Sequence, residues 1–266
     1  FEHNSAKYDG GAVCANNAAL LWNNDDTLFI NNTARNRGAV FVRNGATAEW
    51  TGNTIFQSNR AKLDGGAVGS RAFELDKRSL ITIRGATSFV NNTCGANGGG
   101  MAVVLSLAVL FESDNIIFLH NSAGISGGAV FDAGTGIGTV YRNITFLGNV
   151  AQTGGGIHVV GSGTTVTINE KNEQVTNPST FDGCTFLGNF AFGTGGAIDS
   201  ASGQDVFNRT LFKDNTARVG GALRLAGKAF VVDCSFIENV SDLGGGPAMS
   251  NVGYMYNVTN SYFLDN

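Results

Sequence analysis

Carboxylates, histidines, cysteines and asparagines are the residues of this chain that could do chemistry, and their spacing decides which kind. Hydrolysing a glycosidic bond needs two carboxylates flanking it. Eliminating across a uronic acid needs acidic calcium ligands and a base. The only adjacent acids are Asp25 and Asp26, inside the polar turn Asn23-Asn24-Asp25-Asp26, while Asp9 and Asp64 each stand before a Gly-Gly pair. His3, His120 and His158 are far apart, and Cys14, Cys94, Cys184 and Cys234 form neither a Cys-x-x-Cys nor a Cys/His zinc spacing. No phosphate loop, calcium nonapeptide or nucleophile motif occurs. This pattern predicts no catalytic residue, no metal and no cofactor.

The elements that position these residues come from a repeat. Phe-x-x-Asn recurs at Phe1/Asn4, Phe29/Asn32, Phe56/Asn59, Phe89/Asn92, Phe118/Asn121, Phe146/Asn149, Phe186/Asn189, Phe212/Asn215, Phe236/Asn239 and Phe263/Asn266. Two residues after the Asn comes a small one, as in Ala34, Cys94 or Ser241, and shortly beyond it a phrase such as Gly10-Gly11-Ala12-Val13 or Gly195-Gly196-Ala197-Ile198. The second copy reads Arg37-Gly38-Ala39-Val40. After each phrase apolar residues alternate, as in Val40 and Val42 or Ile157 and Val159, which marks a strand with one buried face. Helix breakers come too often for a long helix. The prediction is a single all-β domain over 1–266, a single-stranded parallel β-helix of nine to ten coils. Each coil has about 27 residues in two or three short strands, and coils stack ~4.8 Å apart. In it the Phe column packs inside, the Asn column forms a hydrogen-bonded ladder at a bend, and Gly-Gly permits a positive φ.

These Gly-Gly-Ala-aliphatic and Phe-x-x-Asn phrases resemble the repeats of the chlamydial polymorphic outer-membrane proteins and of surface β-helix proteins of algae and other eukaryotes. The resemblance implies a right-handed β-helix displayed at a cell surface, with adhesive or structural roles. It implies a secreted, extracellular location.

In the coil frame Cys184 and Cys234 share a column but lie two coils apart, about 9.6 Å, too far for a disulfide. All four cysteines are expected as small buried core residues. Six N-x-S/T sequons occur, and Asn31, Asn91, Asn143, Asn208 and Asn257 are the glycosylation candidates; Asn239 is itself a ladder residue and should be buried and bare. The residue following each Gly-Gly-x-aliphatic phrase should face outward, which aligns Phe131, His158, Asp199 and Arg224 on successive coils. Asp199 could pair with both His158 and Arg224. An insertion, 161–180, leaves the same coil as His158 and could overhang this patch. The patch reads either as a cross-coil ion pair or as a glycan site with Phe131 as platform.

Only 14% of the 266 residues are charged and the net charge is −4, with no Lys/Arg run in the sequence, which argues against a nucleic-acid partner. The apolar stretch Met101 to Phe111 is about half the ~20 residues of a spanning helix, so no transmembrane segment is expected. The phrases of pectin-cleaving β-helix enzymes are absent as a set. The expected function is a structural protein building a surface filament, sheath or appendage; an adhesin-like binding module and a polysaccharide lyase or hydrolase are the alternatives. Because both termini carry the repeat in phase with no capping repeat, the expected partners are further solenoid domains or other copies, end to end.

Overall fold

The computed structural model describes residues 1–266 except 18, 23–25, 73–77, 106–107, 135–138, 161–165, 169–173, 177 and 253–255. Among the described residues every regular element is a β-strand, and no helix is long and apolar enough to cross a membrane. The strands stack in parallel, coil upon coil, into a β-solenoid. Each coil has four faces rather than two or three. The first follows the Gly-Gly phrase, from Val13–Asn16 in the first coil to Met249–Asn251 in the last. The second runs from Ala19–Trp22 to Tyr256–Thr259, and the third, which carries the Phe, from Thr27–Ile30 to Tyr262–Leu264. A short fourth face beyond the Asn runs from Thr33–Ala34 to Val240–Ser241. The first three hold nine strands each and the fourth eight. Within the insertion, Val166–Ile168 and Gln174–Thr176 pair antiparallel.

The strand spacing dictates the core. Phe rings on the third face stack from Phe1 to Phe263 with centroids 4.4–5.2 Å apart and planes within 2–11°. A second stack, Phe111, Tyr141, Phe181 and Phe207, stands on the second face and meets the first edge-on. Each such side chain is worth roughly 1.5–3 kcal/mol of burial as an upper estimate.

The Asn column closes the bend between the third and fourth faces. Asn92 Nδ2 donates to Asn121 Oδ1 at 3.0 Å and to the Phe56 carbonyl at 2.9 Å. Its Oδ1 accepts from the backbone N and the Nδ2 of Asn59, both at 3.0 Å. The Oδ1 acceptor pattern recurs from Asn4 to Asn266, and the donation to a Phe carbonyl one coil back from Asn32 onward. The long insertion does not break the column. Asn149 donates to Asn189 Oδ1 at 2.9 Å, Asn189 to Asn215 Oδ1 at 3.0 Å, and Asn215 to Asn239 Oδ1 at 3.0 Å. The interior amides thereby use both donors and both acceptor positions. The residue before each ladder Asn is left-handed whatever its type, with φ of 49–60° at His3, Asn31, Ser58, Asn91, His120, Gly148, Gly188, Asp214, Glu238 and Asp265.

The Gly-Gly corner divides its labour. Only the first glycine is left-handed, for example Gly127 with φ 64°, and in the second coil Arg37 takes that place with φ 53°. The second glycine is required by crowding: a Cβ on Gly128 would sit 2.1 Å from the Gly155 carbonyl oxygen of the next coil. At the entry to the third face small donors close another corner. The hydroxyls of Thr54, Thr87, Thr210 and Ser261, and the thiols of Cys184 and Cys234, each bond the carbonyl two residues back. Cys94, Cys184 and Cys234 are buried, and burial pushes their thiols up to about 12, 12 and 11. Cys14 departs from the expectation: it is exposed, because it lies in the outward column of the first face, beside Phe41.

The apolar interior is broken in coils five to seven. Asp132 accepts from Tyr141 Oη at 3.0 Å and from Gly134 N at 3.0 Å. Asp205 accepts from Ser202 Oγ at 2.8 Å, yet its Oδ2 and the neighbouring Ser179 hydroxyl, one coil below, have no partner. Burial, with a smaller contribution from Asp132, pushes the Asp205 carboxyl up to about 6.

Two outcomes follow from this interior. Phe118→Ala should cost roughly 3–5 kcal/mol, since the stacked coils cannot collapse onto the cavity, and Asn121→Leu should cost on the order of 3 kcal/mol by orphaning groups of Asn92, Asn149 and Phe89; chemical denaturation checks both, and an Asn121→Leu variant as stable as the parent would refute the ladder's energetic role. Asp205 has a folded pKa above its ordinary 3.8, so the fold is unpenalised below about pH 4 and loses stability as pH rises through about 6. The full loss above that is about 3 kcal/mol. Asp205→Asn should therefore be more stable than the parent at pH 8, with the gap closing toward pH 4.

Candidate functional site

The first face presents one outward residue per coil directly after each corner. Strand register aligns Cys14, Phe41, Gly69, Ala102, Phe131, His158, Asp199, Arg224 and Ser250 in one column. The corner folds the residue five positions earlier alongside. That second column carries Asp9, Asn36, Asp64, Asn97, Ser126, Thr153 and Thr194, and its members bond along the axis. Asn36 Nδ2 donates to Asp9 Oδ1 at 2.9 Å, Asn97 Nδ2 to Asp64 Oδ1 at 3.0 Å, and the Ser126 and Thr153 hydroxyls meet at 2.8 Å. Asp9 also pairs with Arg43 at 3.2 Å. The carboxylates of Asp9 and Asp64 are therefore spent on neighbouring coils.

Phe131, His158, Asp199 and Arg224 do come together. The Phe131 and His158 rings meet edge-on, with centroids 5.7 Å apart. Asp199 pairs with Arg224 Nη1 at 3.4 Å and accepts from the Thr194 hydroxyl. His158 instead shares a 3.1 Å hydrogen bond with Thr153 Oγ1. Of the two pairings open to Asp199, the structure makes the one with Arg224. Nor is Asp199 a surface group, being 3% exposed, because Thr194 leans over it from the corner. Burial holds the His158 imidazole below its ordinary value of 6.5, Asp199 opposes that shift, and Arg224 reinforces it. The overhang expected from 161–180 involves 161–165, 169–173 and 177, which lie outside the described residues, as does Asp25.

Asn31, Asn91, Asn143 and Asn257 are exposed. Asn143 Nδ2 donates to Asp114 at 2.8 Å, and half-buried Asn208 donates to Asp182 at 2.9 Å. The ladder amides are closed to any ligand from Asn32 to Asn239. Asn32, Asn59, Asn92, Asn121, Asn149, Asn189 and Asn215 are wholly buried, and Asn239 nearly so, because each amide is turned along the stack between two coils. Only the end rungs, Asn4 and Asn266, are exposed. His120 makes only a 3.4 Å contact with the Gly148 carbonyl. Among the described residues no three His, Cys, Asp or Glu side chains gather as a metal site.

Arg37 is a feature that the repeat motifs do not single out. Standing where other copies have glycine, it is 1% exposed, and its guanidinium lies 4.5 Å over the Phe41 ring. It fills the room left by Gly69, whose added Cβ would meet Arg37 Nε at 2.6 Å. Its Nε and Nη2 have no hydrogen-bond partner, and burial lowers it to about 10. The signal was present as the Arg-Gly-Ala-Val departure from the repeat.

NMR titration tests the electrostatics of the patch. His158 should titrate below 6.5, and Asp199→Asn should lower it further by removing the one charge that favours imidazolium. Because the folded value is depressed, its contribution to stability is complete above 6.5 and declines as pH falls below it. A His158 midpoint above 6.5 would contradict the burial assigned to this ring.

No protein-family model matches the chain, and no solved structure matches it significantly. Curated relatives do. The probable outer membrane protein PmpG of Chlamydia muridarum is 26% identical over 238 residues, covering 78% of this chain and 23% of the relative. The probable outer membrane protein PmpD of Chlamydia trachomatis serovar D is 30% identical over 169 residues, 59% of this chain and 10% of the relative. The probable outer membrane protein pmp6 of Chlamydia pneumoniae is 29% identical over 125 residues, 44% and 9% respectively. The chain is thus similar to chlamydial polymorphic outer membrane proteins, of whose length it spans less than a quarter.

Proposed function

We propose that this chain is a rod segment of a surface-displayed, extracellular protein, whose axis is continued by further coils into a filament, sheath or appendage. Those coils would come from additional solenoid domains or from other copies end to end. One observation carries the reading: each coil joins the next through the same ring stack and amide ladder, so the stack lengthens without any new kind of contact. Phe1 stacks on Phe29 and Phe263 on Phe236, both at 4.9 Å, and Asn239 donates to Asn266 at 2.8 Å. A further coil at either end would meet the same rings and amides that join the inner coils. The outer-membrane relatives support a surface location.

In a secretory pathway that glycosylates N-x-S/T, Asn31, Asn91, Asn143 and Asn257 offer exposed amides for N-linked glycans. We assign no enzymatic activity: Asp9, Asp64 and Asp199 are engaged with neighbours, and Asp132 and Asp205 are closed off in the interior. An adhesin-like role for Phe131 and His158 has less support, since Asp199 and Arg224 already satisfy one another. Electron microscopy of native material tests the rod. Long particles continuous along the coil axis are expected; isolated rods of about nine coils, ~43 Å, with both ends covered by another domain would reject filament building.

A further inference from the structure

We propose that the fourth face of the first three coils is a binding groove for a linear anionic polysaccharide. A groove of about 430 Å³ runs along it, lined by Ser5, Lys7, Thr33, Arg35, Arg60 and Lys62. It continues past Arg60 and Lys62 along Thr93 to Gly95, in a further 270 Å³. Lys7, Arg35 and Lys62 hold one repeat position, three residues after the ladder Asn, so they stack along the axis at the ~4.8 Å strand spacing. Arg60 aligns with Thr33 and Thr93 in the adjoining column. All four cations are exposed, and among the described residues none is in an ion pair.

Six other cations of the chain are settled differently. Arg43, Arg84, Arg142, Arg209, Lys213 and Arg224 each reach a carboxylate, usually on an adjacent coil. Like charges on facing rungs repel, and here no acid relieves them: Asp9 and Asp64 are bound to Asn36, Arg43 and Asn97. A line of uncompensated cations in a protein of net charge −4 matches a ligand whose negative charges also lie on a line.

The shape narrows the class. Backbone amides at the groove are committed to neighbouring coils: Ala6 N donates to Thr33 O, Lys62 N to Ala34 O and Leu63 N to Arg35 O. These three amides are therefore closed to an isolated phosphate. The lining residues include no aromatic ring, and the exposed Tyr8 ring at the groove's end lies under the Lys7 ammonium, 5.2 Å from it. The Ser5 and Thr33 hydroxyls, which meet at 3.1 Å, and that of Thr93 share the Arg60 column and suit the hydroxyls of a sugar chain. The groove does not depend on the rod reading, because it lies on the side of the coils and not on their ends.

Calorimetry on the protein with heparin, polygalacturonate and neutral dextran is the test. Binding to heparin or polygalacturonate, weakened by salt and absent for dextran, is expected. Arg35→Ser with Lys62→Ser should weaken it at least ~10-fold and flatten its salt dependence. Lys228→Ser, an exposed cation on the second face, should change nothing. All these positions are solvent-exposed, so melting temperatures should match the parent's and confirm folding. No binding to either polyanion, equal loss with Lys228→Ser, or unchanged binding by the double variant would overturn the proposal. So would duplex DNA or phosphatidylserine vesicles binding as tightly.

Discussion

The hydrogen-bond spacing between parallel strands is the constraint from which everything else in this molecule follows. Once coils must sit ~4.8 Å apart, only side chains that stack well at that distance can occupy a shared column. Flat Phe rings do so, with centroids 4.4–5.2 Å apart. Asn does so uniquely among polar residues, because one amide has two donors and an oxygen with two acceptor positions. Its oxygen serves one neighbouring coil and its nitrogen both. Gln would carry the same groups on a longer stem and lose the fixed geometry. The second glycine of each corner answers the same constraint negatively, since a carbonyl of the next coil occupies the place of its Cβ.

The same spacing disciplines the surface. A residue facing outward has its counterparts on neighbouring coils within side-chain reach, so charge is settled column by column. Arg84 lies between Glu49 and Glu112, and Asp182 between Arg142 and Arg209. The patch centred on Asp199 follows this rule: register sets it beside Arg224, and the corner brings Thr194 over it. Columns that obey the rule are explained by folding alone. The Lys7, Arg35, Lys62 column does not obey it, and that is the physical content of calling it a site.

What could be read from the sequence was what repeats by residue type. The Phe and Asn columns, the strand after each Gly-Gly phrase and the parallel stacking all announce themselves, because one chemical solution is reused at each coil. Asn189 keeps its place in the ladder although the insertion stretches the interval before it to 40 residues, since the column selects the amide and not the interval. What could not be read is set by conformation or by neighbours. The left-handed residue before each Asn is His, Asn, Ser, Gly, Asp or Glu, so its backbone role leaves no single signature. The short fourth face is often only two residues long, below the reach of any periodicity. Cys14 follows an aliphatic residue in the manner of an outward position, yet its small apolar type suggests the core. Asp199 looked exposed because the pattern says which way a side chain points and not what leans over it.

The polar residues inside coils five to seven show how far a stack of this kind tolerates exceptions. Asp132 and Ser200 occupy the inward end of the first face, where other coils carry Val42, Val103 or Leu225. Each accepts a hydrogen bond from the backbone N two residues on, at Gly134 and Ser202. They are corner caps turned inward, performing between the first and second faces what Thr54 or Thr210 perform before the third. A buried carboxylate costs less than an orphaned amide only when it makes such bonds, and Asp132 makes two. Asp205 accepts from Ser202 and leaves one oxygen unpartnered, and its burial holds the proton to about 6. The polar groups Asp132 and Ser200 therefore serve the turns that lead from the first face to the second.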